Sequence, residues 1–169
     1  YNDVEHRGAV ESFVEAIKMA DDDAVYVQDD MLLCENFCAR AEKHISSYPD
    51  TVIVFSNPAN DKKYTHIVQE GHYSPINAGY LLCTYIPRKT GKAFVEWYER
   101  KGYKTIELYK RYFEMQLDDA LFFHFLYSVG RDVFVTVPNL AGHPKNKSII
   151  DARRPPRICV NFDYSRAAK

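Results

Sequence analysis

The stretch Val25-Tyr26-Val27-Gln28-Asp29-Asp30 decides how this chain is read. A run of β-branched and aromatic residues ends abruptly in two adjacent carboxylates. The run suits a buried strand. The pair does not suit a core, because two like charges side by side demand a cation or a shared proton. Both halves are satisfied at the carboxyl end of a strand in an open α/β sheet, where such sheets present their ligand sites. A polar strand-to-helix turn explains the six residues equally simply, and on these residues alone it is the commoner outcome.

Outward from this stretch the chain alternates between helical and strand patterns. Upstream, Val4 to Ala20 reads as a helix, with Ala9, Phe13, Ala16, Ile17 and Ala20 near helical spacing. No strand is legible before His6, so the expected sheet lacks its first strand within this reading. Asp21-Asp22-Asp23 sits unfavourably beside a helix C-terminus and reads as a solvated turn. Downstream come a helix from Glu35 to Ser47 and a β-branched strand, Thr51 to Phe55, suited to the middle of a sheet. Ser56 to Pro75 reads as a long polar connection of the kind that binds or covers a ligand; it carries Asn57-Pro58, His66 and His72. A strand from Tyr80 to Ile86 and a helix from Arg88 to Arg100 follow, with Tyr80 and Trp97 read first as packing residues. Asp118-Asp119 opens an apolar helix from Ala120 to Ser128, and Val133 to Val137 is the last core strand. The expected fold is α/β: a Rossmann-like mixed sheet sandwiched by helices, in one domain spanning residues 1–169.

Composition narrows the function classes. The chain has 169 residues, 46% of them hydrophobic, enough for one ordinary core. Lys and Arg number 22 against 23 Asp and Glu, a formal charge of -1, which gives no general drive toward nucleic acid or anionic membranes. The apolar runs are too short to span a bilayer, and no secretory leader is legible. Cys34, Cys38, Cys83 and Cys159 fit free thiols in a reducing compartment better than a zinc site. A cytoplasmic location is therefore expected.

Three acidic or imidazole positions carry the candidate chemistry. Asp29 and Asp30 are one pair. Asp118 and Asp119 are a second; Asp118 suits a helix cap and Asp119 is the spare carboxylate, so the pair fits a general-base site, while capping alone is the favoured reading of these residues taken by themselves. His143 follows the last strand in a polar loop, and imidazole with carboxylate is a normal ligand set for a transition metal. Lys145, Lys147 and Ser148 offer groups that could hold diphosphate oxygens, and Arg7 reads equally as a phosphate contact or as an exposed arginine.

Taken in order, three blocks resemble the nucleotide-sugar glycosyltransferases of the A-type fold, in particular small bacterial and phage-type members. Val25 to Asp30 resembles their strand-Gln-Asp-Asp motif, Leu117-Asp118-Asp119-Ala120 their later acidic helix start, and Val137-Pro138-Asn139-Leu140 with His143 and Ser148 their C-terminal block. The likeness spans about Ala9 to Ser148. It departs from the family where Gln28 replaces the first aspartate of an Asp-x-Asp motif. The resemblance implies that Asp30 and His143 hold Mn²⁺ or Mg²⁺, with Asp29 on the ribose or behind the metal ligands. It implies a nucleotide-diphosphate sugar as donor and a glycan, protein or other hydroxyl compound as acceptor. Asp119 or Asp118 would take the acceptor proton in an inverting transfer. A homo-oligomer is compatible with it, and a viral chain would act in the host cytoplasm. Two rival classes use the same features: a metal-dependent phosphoryl or nucleotidyl transferase, and a non-enzymatic carbohydrate-binding or structural module.

Overall fold

The computed structural model describes residues 8–57, 67–78, 81–105, 118–144 and, near the end, Phe162, Asp163, Ser165 and Ala167. Their order is α1 (Ala9–Met19), β1 (Ala24–Val27), β2 (Leu32–Leu33), α2 (Phe37–Ser47), β3 (Val52–Val54), β4 (Gly71–Tyr73), a short α3 (Pro75–Ala78), β5 (Cys83–Ile86), α4 (Arg88–Glu99), a 3-10 turn (Gly102–Thr105), α5 (Asp118–Ser128), β6 (Val133–Val135) and β7 (Ala141–Gly142). Five strands form one mixed sheet in the order β1-β5-β3-β6-β4, and β2 pairs with β7 in a separate ribbon. β3 and β6 are parallel, while β1, β3 and β5 alternate antiparallel and β4 is antiparallel to β6. Consequently β1, β3 and β6 point the same way, and their carboxyl ends share one edge of the sheet.

Each face of the sheet has its own core. On one face α1, α4 and α5 pack over Val52, Val54, Val133 and Val135. Phe13, Phe94 and Phe122 meet there with ring centroids 5.2 to 5.7 Å apart; such contacts add about 0.5–1.5 kcal/mol per pair beyond burial. Helix α5 buries Leu121, Phe122, Phe123, Phe125 and Leu126, nearly all round its axis, as a helix enclosed by other elements must. On the other face α2 lays Phe37 and Ala41 over Ile53, Phe55 and Tyr85, joined by Leu140 and Phe162. The sheet is thus sandwiched by helices, as expected.

Several expectations are corrected. β1 is an edge strand among the described residues, so Tyr26 faces α1 while Val25 and Val27 remain 39% exposed; they are not the buried pair their β-branching suggests. The segment read as one long loop contains β4 and leads into α3, because Gly71-His72-Tyr73 pairs with the outer side of β6. The strand expected from Tyr80 begins at Cys83, Asp118 lies inside its helix, and the strand expected to reach Val137 ends at Val135. Neither β2 nor β7 was anticipated; two-residue strands carry too little pattern to read.

The acidic run before β1 is also more than a solvated turn. Asp23 Oδ1 accepts the Arg88 backbone N–H at 2.7 Å, capping α4, and Oδ2 lies 2.7 Å from the Tyr85 hydroxyl. That hydroxyl also stands 2.8 Å from the Pro49 carbonyl, so its one proton is shared between two acceptors. Burial, then the bond to Asp23 and the neighbouring acidic charge, raise the Tyr85 pKa.

Candidate active site at the carboxyl edge

The site is built by a turn and a ribbon. After β1, the Met31 N–H donates to the Gln28 carbonyl at 3.2 Å, closing a tight turn with Asp29 and Asp30 at its centre. The chain then becomes β2, whose Leu32 and Leu33 pair with Gly142 and Ala141 of β7. Cys34 N–H continues this ladder to the Leu140 carbonyl at 2.9 Å. Continued by one position, this register sets Met31 opposite His143, with Asp30 next along the turn. Gly142 leaves room for the Phe162 ring against β7, because a Cβ there would stand 2.5 Å from it.

The consequence is a contact between two of the sequence-predicted residues. Asp30 Oδ2 lies 2.8 Å from His143 Nε2, with Asp30 half exposed at 51% and His143 at 15%. The other ring nitrogen, Nδ1, is 3.1 Å from the Pro144 carbonyl oxygen, which can only accept. Both ring nitrogens thus face acceptors: a neutral ring satisfies one of them, with its proton on Nε2 toward Asp30 or on Nδ1 toward Pro144, and a doubly protonated ring satisfies both. With the proton on Nδ1, the Asp30–Nε2 contact becomes a pair of lone pairs that a cation would close. A backbone carbonyl on the far nitrogen is the usual support of a metal-binding histidine.

The register places further residues at the same level. Val27 pairs with Cys83 on one side of β5, while Phe55 N–H donates to the Cys83 carbonyl at 2.9 Å on the other. The turn at Asp29-Asp30 and the pair Ser56-Asn57 thus leave the sheet together. Thr136 N–H to the Val54 carbonyl, 3.1 Å, brings the β6 exit alongside. Leu140 and Ala141 N–H both reach the Phe55 carbonyl, at 2.9 and 3.1 Å, and Asn139 Nδ2 donates to the Asn57 carbonyl at 2.9 Å. The loop between β6 and β7, which contains the cis Val137-Pro138 bond, is pinned over the end of β3.

The remaining predicted residues divide into two groups. Asp118 and Asp119 open α5, which reaches β6 through a four-residue connection, Val129 to Asp132, and so runs back across the sheet with its first turn toward the carboxyl edge. Arg7, His66, Tyr80, Lys145, Lys147 and Ser148 lie outside the described residues, as does Cys159. Cys34, Cys38 and Cys83 are free thiols, and burial pushes Cys83 up to about 12. Asn57 was read within the long polar connection and Asn139 within the block that ends the last strand, neither as a buried group; nothing in a proline-flanked asparagine signals that it is buried.

Among the described residues no group of three or more His, Cys, Asp and Glu gathers to enclose a metal, so Asp30 and His143 are a two-residue set. No helix among them is long and apolar enough to cross a membrane. A cavity of about 190 Å³ lies at the opposite edge of the sheet, lined by Asp50, Thr51, His72, Thr90, Arg131 and Asp132. It is open, mixed in charge and remote from the Asp30–His143 contact. Comparison of the chain with protein-family models, with curated proteins and with solved structures finds no match.

Proposed function

We propose that the carboxyl edge is the active site of a divalent-metal-dependent glycosyltransferase using a nucleotide-diphosphate sugar. The observation that carries this reading is the Asp30–His143 contact. Asp30 Oδ2 and His143 Nε2 stand 2.8 Å apart, close enough for both to hold one Mn²⁺ or Mg²⁺ and equally a hydrogen-bond distance when Nε2 is protonated. Small hard cations are commonly held by one or two protein groups, with substrate phosphates and water completing the shell. A half-exposed two-residue set is suited to that role.

Asp30 and His143 would hold the cation, which supplies charge to stabilise the diphosphate leaving group. The chain's own contributions are separate from that. The Pro144 carbonyl would accept the Nδ1 proton and leave Nε2 free for the cation. The β2–β7 ribbon keeps the two ligands at one spacing. Asp119, or Asp118, takes the acceptor hydroxyl proton in an inverting transfer, or orients the acceptor in a retaining one. Asp29, Arg7, Lys145, Lys147 and Ser148 are assigned to the nucleotide and its phosphates through the family resemblance.

The test is calorimetric titration of UDP-glucose, UDP-galactose, UDP-N-acetylglucosamine and GDP-mannose with Mn²⁺ present, and again with EDTA. Saturable binding of one donor that EDTA abolishes is expected. Equal binding with and without the metal, or binding of nucleoside triphosphates in preference to every sugar nucleotide, would reject the assignment.

A further inference from the structure

Two asparagines at the carboxyl edge are not explained by the fold. Asn57 is 0% exposed, and neither its Nδ2 nor its Oδ1 has a hydrogen-bond partner among the described residues. Asn139 is 2% exposed; its Nδ2 holds the Asn57 carbonyl, but its Oδ1 is unmatched. Buried amides are almost always bonded, and each unmatched polar atom costs about 1–3 kcal/mol. Three such atoms at one corner of a well-packed sheet therefore require a reason.

Their position supplies one. Asn57 leaves β3 at the level where Asp29 and Asp30 leave β1, and β5 alone separates the two strands. Two strand spacings amount to about 10 Å, a distance that a nucleotide sugar spans from its diphosphate to either of its sugar rings. Asn139 lies four residues before His143 on the same loop. The free atoms comprise one donor group and two acceptors, all neutral. A phosphate would leave the acceptors unmatched and a cation would leave the donor unmatched. A vicinal diol, in which each hydroxyl both donates and accepts, matches both kinds.

We infer that Asn57 and Asn139 form the neutral recognition element of this site and bind a vicinal diol of the donor, either on the transferred sugar or on the ribose. This rests on the glycosyltransferase reading given above. In so closed a corner a neutral hydrogen bond is stronger than at a wet surface, so the pair would discriminate between diols as well as bind them.

The inference makes an unusual demand on stability. If the Asn57 amide serves the ligand alone, replacing it by an apolar side chain of similar size removes an unmatched polar group and does not destabilise the fold. Asn57→Leu is therefore expected to keep or raise Tm, to leave Mn²⁺ affinity unchanged, and to weaken the bound sugar nucleotide at least ten-fold in calorimetry. UDP and GDP serve as the comparison: an equal loss on the nucleoside diphosphate assigns the ribose diol, and a loss confined to the sugar nucleotide assigns the transferred sugar. A Tm drop of several degrees would show that the amide has a structural role and would overturn the inference, as would unchanged affinity for both ligand types. A second measurement needs no variant. On the wild-type protein, donors deoxygenated singly at each sugar or ribose hydroxyl should include at least one that binds ten-fold more weakly, and a full series binding like its parents would overturn the inference. If the wild-type protein binds neither Mn²⁺ nor any sugar nucleotide, the glycosyltransferase reading falls and this inference with it. Wild-type binding with an indifferent Asn57→Leu variant removes only the inference.

Discussion

The two edges of the sheet use aspartate in opposite ways. At the amino edge Asp23 ends an acidic run, and both its oxygens are committed, to the Arg88 N–H and to the Tyr85 hydroxyl. At the carboxyl edge Asp30 ends another acidic pair, and it faces one nitrogen of His143 while the other ring nitrogen faces the Pro144 carbonyl. The first carboxylate meets a backbone and a hydroxyl donor, and the second meets an imidazole nitrogen that can donate a proton or, without one, share a cation. The first stabilises the fold; on the proposed reading the second, at a sheet's ligand edge, would hold the cation.

The largest expected effect breaks this comparison directly. Asp30→Asn keeps size and hydrogen-bonding capacity but removes the charge, so metal-dependent sugar transfer should fall by about 10³-fold or more, in the range lost when electrostatic groups are removed from active sites. Asp30 is half exposed, and Tm should hardly move. Asp23→Asn is the matched control at the other edge and should leave transfer intact. Equal turnover in the two variants would end the claim that the edges differ in kind.

A second substitution asks whether the site depends on its ribbon. Gly142→Ala would place a methyl group 2.5 Å from the buried Phe162 ring, next to His143. Either the ring leaves its seat or β7 shifts away from β2. Overpacking of this kind costs about 1–3 kcal/mol, measurable by urea unfolding, and Mn²⁺ affinity should fall with it. Wild-type affinity in a destabilised Gly142→Ala protein would show that the spacing of Asp30 and His143 is set elsewhere.

The amino edge is tested by stability alone. Asp23→Ala removes the cap on α4 and the charged partner of Tyr85, so the protein should lose about 1 kcal/mol, typical of a lost helix cap. The measurement is the denaturant midpoint. A loss of this size with unchanged Mn²⁺ binding completes the contrast with Asp30→Asn.

How far these differences were legible in the sequence follows from what each depends on. The central strand Val52–Val54 and the buried helix α5 were readable, because a β-branched run and an apolar periodicity are local signals. Asp30 and His143 were each identifiable by residue type, and the resemblance paired them, but local pattern did not. Their meeting depends on two strands of two residues, pairing across more than a hundred positions of chain. The exposure of Val25 and Val27 was unreadable for a similar reason: β-branching marks a strand, but strand order decides whether it is central or at an edge. Asn57 was read as part of a polar connection because its burial is imposed by the β6–β7 loop, which reaches it through Asn139. Asp23 looked solvated because its partners, Tyr85 and Arg88, come more than sixty residues later.

The smallest effect concerns a histidine that belongs to neither edge's chemistry. His44 on α2 rests against Phe134, with ring centroids 6.0 Å apart, and burial lowers its pKa, with Lys43 and Arg40 adding to the effect and Glu70 opposing it. The unfolded chain therefore binds a proton at His44 more readily than the folded one does, so stability rises with pH wherever the two differ. The loss on acidification should begin as pH falls through about 6.5, the ordinary histidine value, and should level off once pH lies below the depressed folded value. His44→Gln cannot take up the proton and should flatten this part of the curve in urea midpoints measured between pH 7.5 and pH 5. His44 belongs to α2, and Asp30 and His143 to the carboxyl edge, so metal binding in that variant should follow the wild-type pH profile. A shifted profile would mean that the α2 face and the carboxyl edge are coupled through β6, whose Phe134 stacks on Tyr48 and whose exit loop leads to His143.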